Sequence, residues 1–215
     1  MNLELALLYF VALVTSIIIH EIAHGYVAAA FGDDTARNAG RLSLNPIRHV
    51  DPFGSILVPA MGALAGLPVV GWAKPVPISA HRLRHPRRDM LLVSFAGPAS
   101  NFVLCIAFAI ATRFLLGNGG LIPNAFGAGG SFIVNLCYTF AFVNLLLGVF
   151  NLLPIPPLDG SAIFELFMPE TWKPHWYRLR PYGILVIFGI VFFIPGLLNA
   201  VLSPFANALH GFVVG

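Results

Sequence analysis

His20-Glu21-Ile22-Ala23-His24 stands inside an apolar stretch of the chain, and that setting decides how the rest is read. In a helix, positions four apart share a face, so His20 and His24 can each turn a nitrogen toward one zinc ion. Glu21 lies beside them, where a carboxylate can take a proton from a water that the metal activates. The run before it, Leu3 to Ile19, holds a single charge, Glu4. An ionisable triplet beside lipid is costly unless it is paired or bound to metal. A zinc site in a membrane helix points to hydrolysis of something that enters the membrane.

The composition agrees with that setting. Of 215 residues, 58% are hydrophobic and 10% charged, and the mean hydropathy is +0.84. Soluble domains run to about a quarter charged, so the chain is expected to be an all-α polytopic membrane protein. Its length suits about four to six crossings of roughly 20 residues each, as a single integral membrane domain over 1–215 with no sizeable soluble module. The first apolar segment resembles a signal peptide in position only. It lacks a preceding basic residue, is long, and carries the His pair, so it is read as retained. A net charge of +3 reflects basic residues flanking the membrane and does not suggest a nucleic-acid partner. Cys105 and Cys137 have apolar neighbours and are read as small packed hydrophobes.

The first helix is expected over Leu3 to Phe31. Gly40 to Pro46 alternates briefly and predicts a short membrane-associated β element. Phe53 to Val70 is apolar but holds Pro59, Gly62, Gly66 and Pro68, which suits either a full crossing or a re-entrant segment. Gly71 to Pro77 cannot continue a regular helix, because two prolines lack donors and bias their predecessors toward extended geometry. Further spans are expected over Leu91–Leu116, Ser131–Phe150 and Tyr182–Leu202, with a short helix at Ser161–Phe167.

Charge orients these segments. Arg113 lies near the end of the second span. The other eleven basic residues fall in loops 32–52, 73–88 and 169–180, and loop 117–130 has none. If basic loops are cytoplasmic, the multi-pass chain sits in the cell membrane with its active site toward the cytoplasmic side. The parity holds only if Phe53–Val70 enters and leaves on one side. His24 and Asp159 then fall at one depth, although 135 residues separate them.

Two histidines leave a zinc site short of one protein ligand. His49, His81, His85 and His175 lie in basic surface loops, where histidine needs no function. Asp159 follows the proline-rich break Asn151 to Pro157, where the chain can turn a carboxylate back into the bundle. It could alternatively cap the helix that begins near Ser161. A metal transporter, an inactive binding scaffold and a lipid hydrolase are the competing functions. Transport usually strings several ionisable groups across a membrane, and the spans offer little beyond Arg113.

The combination resembles the site-2 protease family of intramembrane zinc metalloproteases (peptidase family M50). The resemblance rests on His20 to Gly25, on Asn151 through Gly160 as an NxxPxPxLDG element, and on Phe95 to Asn101. Gly71 to Val76 is similar to the short prokaryotic form. The resemblance implies one zinc per chain held by His20, His24 and Asp159, with Glu21 as the catalytic acid and base. It implies a transmembrane protein or peptide as substrate within the lipid bilayer. Asn151, Asn101 and Gly71 are candidates for positioning that substrate, and an edge near 40–46 or 71–77 could pair with it once unwound. The PDZ domain or CBS pair that many members carry is not expected here.

Overall fold

The computed structural model describes residues 3–64, 72–117 and 131–215. Three long helices make the bundle: α1 (Leu3–Ala30), α4 (Pro86–Gly117) and α5 (Phe132–Asn151), each packed against the other two. At 1.5 Å per residue, the 28 residues of α1 exceed the roughly 30 Å of a bilayer's hydrocarbon core. Among the described residues, five helical segments are long and apolar enough to cross a membrane, and the chain is a multi-pass membrane protein. Phe10, Val103, Ile106 and Phe114 point outward, where lipid covers them.

Local sequence sets the ends of these helices. Gly32 has φ +105°, and α1 closes with Asp33 N–H donating to Ala28 O and Gly32 N–H to Ala29 O. This paired bond is the Schellman stop, which favours glycine at the left-handed position. Pro86 opens α4, and the Asp89 carboxylate accepts from the His85 N–H at 2.7 Å. Ser131 caps α5, its hydroxyl accepting from Val134 N–H. Both cysteines are free thiols, and Cys105 sits in an apolar core with Ala109, Tyr138, Ala141 and Leu145.

The connection from α1 to α4 departs from expectation. No strand forms at Gly40–Pro46, and none occurs among the described residues. A strand needs a neighbour for its ladder, and here local bonds win. The short helix α2 (Thr35–Asn38) ends with Arg41 N–H on Ala36 O. Asn45 then caps a 3-10 turn, Pro46–His49, through Ile47 N–H. Residues 72–79 run without regular structure, and side chains replace a ladder: Arg41 Nη2 donates to Lys74 O at 2.6 Å, and Ser79 N–H donates to Asp33 Oδ2 at 2.6 Å.

No re-entrant loop is seen among the described residues of 53–70. Pro52–Leu57 and α3 (Val58–Leu64) form consecutive helical turns, and residues 65–71 lie outside the described set. Trp72 N–H donates to Gly54 O at 3.1 Å and Ser55 Oγ to Trp72 O at 2.9 Å. These bonds hold Trp72 against the turn at Gly54–Ser55.

The span expected at Tyr182–Leu202 is broken. α7 (Lys173–Leu179) and a 3-10 turn lead to α8 (Gly183–Phe193), and a separate helix α9 (Pro195–Val214) follows. Pro195 cannot donate into a continuing helix, and it biases Ile194 away from helical geometry. Ile194 sits at φ −134°. Leu198 shares a small cavity with Phe150, Leu153, Ile187 and Ile190. At the other end of α9, His210 meets the Tyr138 hydroxyl and Phe212 O accepts from Arg113. α9 thus runs the length of the bundle, antiparallel to α5.

Candidate metal centre

The HExxH segment lies in the C-terminal half of α1, with His20 and His24 each 6% exposed. Their Nε2 atoms are 3.1 Å apart. Asp159 opens the helix α6 (Asp159–Phe167), with Leu158 as its N-cap. Its carboxylate does not cap that helix. One oxygen lies 3.1 Å from His20 Nε2 and the other 3.3 Å from His24 Nε2. Among the described residues, this is the group of three metal-ligating side chains whose donor atoms converge, all within 4.8 Å of one another. His49 turns instead to Ser43 O at 2.8 Å.

The outer nitrogens explain how the inner ones are presented. His24 Nδ1 lies 2.6 Å from Val93 O, and His20 Nδ1 lies 2.6 Å from Asn101 Oδ1. A carbonyl oxygen accepts only, so each Nδ1 carries its proton and each Nε2 turns a lone pair inward. Two such lone pairs and a carboxylate converging in a buried place form a donor set that a divalent cation satisfies. Two imidazoles and one carboxylate are a zinc set with a position left open, and the outer hydrogen bonds are those that orient metal-bound histidines.

Close approach of the neighbouring segments requires glycine twice. A Cβ on Gly97 of α4 would fall 2.6 Å from His20 Nε2 and nearer still to His24. A Cβ on Gly160 would fall 2.6 Å from Leu153 O, with the backbone of Leu152 closer. The first lets α4 lie against the imidazoles. The second lets the start of α6 fold onto the end of α5, which brings Asp159 back across the bundle.

Glu21 is beside the centre, with Oε2 accepting from Val76 N–H at 2.7 Å. The irregular segment 72–79 therefore passes α1 at the carboxylate. Val76 is 6% exposed and lies against Gly25. Asn101 stands behind His20, its Nδ2 on Asn144 Oδ1 at 2.9 Å. Asn151 bonds within its own helix, to Leu147 O at 3.0 Å. Gly71 lies outside the described residues. Gly97 and Val76 lie within the stretches Phe95–Asn101 and Gly71–Val76 singled out from the sequence, and the structure gives them their contacts with the imidazoles and with Glu21. Asn144 is the site element that motif reading missed. A polar amide within the apolar run of α5 was the one available signal.

The family model for peptidase family M50 matches residues 8–132 and 119–194. The chain belongs to peptidase family M50. YwhC of Bacillus subtilis (strain 168), provisionally named a zinc metalloprotease, is 40% identical over 203 residues, 92% of this chain and 85% of YwhC. Rip2 of Mycobacterium tuberculosis (strain Erdman), named in the same provisional way, is 35% identical over 187 residues, 86% of this chain and 65% of Rip2. The zinc metalloprotease MJ0392 of Methanocaldococcus jannaschii is 24% identical over 163 residues, 76% of this chain and 35% of its own length. The chain thus spans less than two thirds of the latter two. No solved structure matches it significantly. Family and site together make this M50 member a zinc metalloendopeptidase of the membrane with one zinc site.

Proposed function

We propose that residues 1–215 work as one intramembrane protease domain that hydrolyses peptide bonds in or near transmembrane segments of other membrane proteins. His20, His24 and Asp159 hold the zinc, and Glu21 is the general base and then the general acid. The observation that carries this reading is the convergence of two imidazoles and a carboxylate beside Glu21, within a helix long enough to span the bilayer.

Bound zinc supplies a Lewis acid that polarises a carbonyl and acidifies water. Glu21 accepts the proton of the attacking water and delivers it to the departing amine nitrogen. Its Oε2 is held by Val76 N–H, so the carboxylate is aimed by backbone. A helical substrate must unwind first, because its carbonyls are bonded within it. The segment 72–79, with Gly71 before it in the sequence, is the candidate surface for an unwound strand. Asn151, at the end of α5, can exchange its bond to Leu147 O for one to the substrate. Asn101 acts behind His20.

The site faces the cytoplasm in this reading. Arg41 contacts the Lys74 carbonyl, Arg84 N–H donates to Phe31 O, and Arg87 pairs with Glu170 at 3.7 Å. The basic loops thereby gather at the end of the bundle where α1 finishes, which suits the positive-inside rule. Six residues separate His24 from Ala30, about 9 Å of helix, so water has a short path.

The test is cleavage of a transmembrane peptide by the purified chain in detergent or proteoliposomes. Wild type cuts, and Glu21→Gln and Asp159→Ala do not. Turnover by E21Q above about 1% of wild type would overturn Glu21 as the base, since general bases contribute roughly 10²–10⁴-fold.

A further inference from the structure

A chain of buried amides runs from α5 through α4 to the first histidine. Asn144 Nδ2 lies 2.8 Å from Phe140 O and 2.8 Å from Ser16 Oγ. Asn144 Oδ1 lies 2.9 Å from Asn101 Nδ2, and Asn101 Oδ1 lies 2.6 Å from His20 Nδ1. Ser16, Asn101 and Asn144 are fully buried.

Each link has one permitted direction. The Phe140 carbonyl can only accept, so the Asn144 nitrogen must face it. The Asn144 oxygen is then turned to Asn101 and requires a donor there. That demand fixes the Asn101 nitrogen and leaves its oxygen facing His20 Nδ1, which must carry the proton. The Nε2 lone pair follows. Turning Asn101 over would set oxygen against oxygen and, at His20, present an N–H to Nδ1. That arrangement favours the tautomer with its proton on Nε2, where it would block the metal. Asparagine alone beside a histidine supports either tautomer. His24 needs no such relay, because its partner, Val93 O, is itself a backbone carbonyl that cannot turn over.

We propose that Asn144 is a positioning residue of the zinc site: anchored on the Phe140 carbonyl, it holds Asn101 in the orientation that keeps the His20 Nε2 lone pair available to zinc. The proposal rests on the reading of His20 as a ligand. It assigns a role to a side chain on α5 that touches neither metal nor substrate.

The experiment combines zinc affinity, by chelator competition on the purified full chain, with nitrogen NMR of histidine-labelled, zinc-stripped protein. Asn144→Leu frees the Asn101 amide to turn over. It is expected to weaken zinc binding by about 10–100-fold, the usual effect of losing an outer-shell partner, and to give His20 an Nε2–H population. The double variant N144L/N101D restores both, because a carboxylate at 101 accepts in either orientation. A merely structural role for Asn144 would not be rescued this way. Unchanged zinc affinity in N144L, or a loss that N101D does not recover, overturns the proposal. If N144L fails to fold, the wild-type spectrum decides: Nδ1–H on His20 supports the relay, and Nε2–H refutes it. His20→Ala tests the ligand reading separately. Should H20A keep its zinc, that reading falls while the tautomer still judges the relay.

Discussion

Val76 N–H donates to Glu21 Oε2 at 2.7 Å, so a residue of the irregular segment 72–79 holds the carboxylate next to His20. The contact links a connection between helices to the atoms of the site. One carboxylate oxygen is anchored by backbone, and the carboxylate is thereby fixed relative to the imidazoles on its own helix.

Replacing Val76 by proline removes that N–H and keeps an apolar side chain. V76P is expected to cut peptide more slowly by about tenfold or more, as suits one lost hydrogen bond to a charged group, with zinc content unchanged. Val76→Ala keeps the donor and serves as the comparison. Equal losses in V76P and V76A, measured as kcat on one transmembrane peptide, would show that packing and not the N–H matters.

Zinc content follows from the three ligands. The wild-type chain is expected to purify with about one zinc, and His20→Ala and Asp159→Ala each lose most of it, since two ligands make a poor site. Metal analysis of the purified variants reads this directly. Full zinc in D159A would dismiss Asp159 as a ligand.

Gly97 is predicted to tolerate no side chain. A Cβ there meets both imidazoles, so Gly97→Ala must push α4 away or rotate the rings, and overpacking of this kind costs about 1–3 kcal/mol. G97A should lower zinc affinity more than it lowers thermal stability. A G97A protein with wild-type zinc affinity would contradict the close approach of α4.

Asp33, just past the end of α1, gives a pH dependence. Burial pushes its carboxyl up, but hydrogen bonds from the Thr35 hydroxyl and from the N–H groups of Ser79 and Thr35, with the nearby Arg82 charge, outweigh burial and hold it below the ordinary value. A depressed folded value means that the contribution is complete above the unfolded pKa of about 4 and fades as pH falls through the folded one. Asp33→Asn should therefore destabilise the chain near neutral pH by about 2 kcal/mol, as for hydrogen bonds to a charged acceptor. The gap between variant and wild type should narrow below about pH 4. Thermal unfolding in detergent across pH 3–7 tests this. A gap that does not vary with pH would rule out ionised Asp33 as the anchor.

Membrane sidedness is open to labelling. Single cysteines replacing Lys74, Arg87 and Arg41, on a background lacking Cys105 and Cys137, should react only in opened cells, and one replacing Asn124 in intact cells. Labelling of position 74 from outside, with position 41 protected, would contradict the contact between Arg41 and the Lys74 carbonyl as well as the charge argument.

The sequence determined what short-range chemistry can encode. His20 and His24 share a face because four residues make about one helical turn, and apolar runs of about 20 residues or more, enough to span the hydrocarbon core, announce α1, α4 and α5. Gly32 and Pro86 mark helix ends through their own backbone limits. Asp159 stood out because a proline-rich break can return a side chain to a bundle. Tertiary structure decided the rest. No local rule says that segment 40–46 lacks a strand partner, or that a break at Ile194–Pro195 sends α9, and not Tyr182–Leu202, along the bundle. Nor does any spacing place the Val76 N–H on Glu21 or join Asn144 to His20 through Asn101. Those contacts bridge 43 to 81 residues of chain. They exist because buried polar groups in a low-dielectric bundle must find partners, and which partners are in reach is set by how α1, α4 and α5 pack.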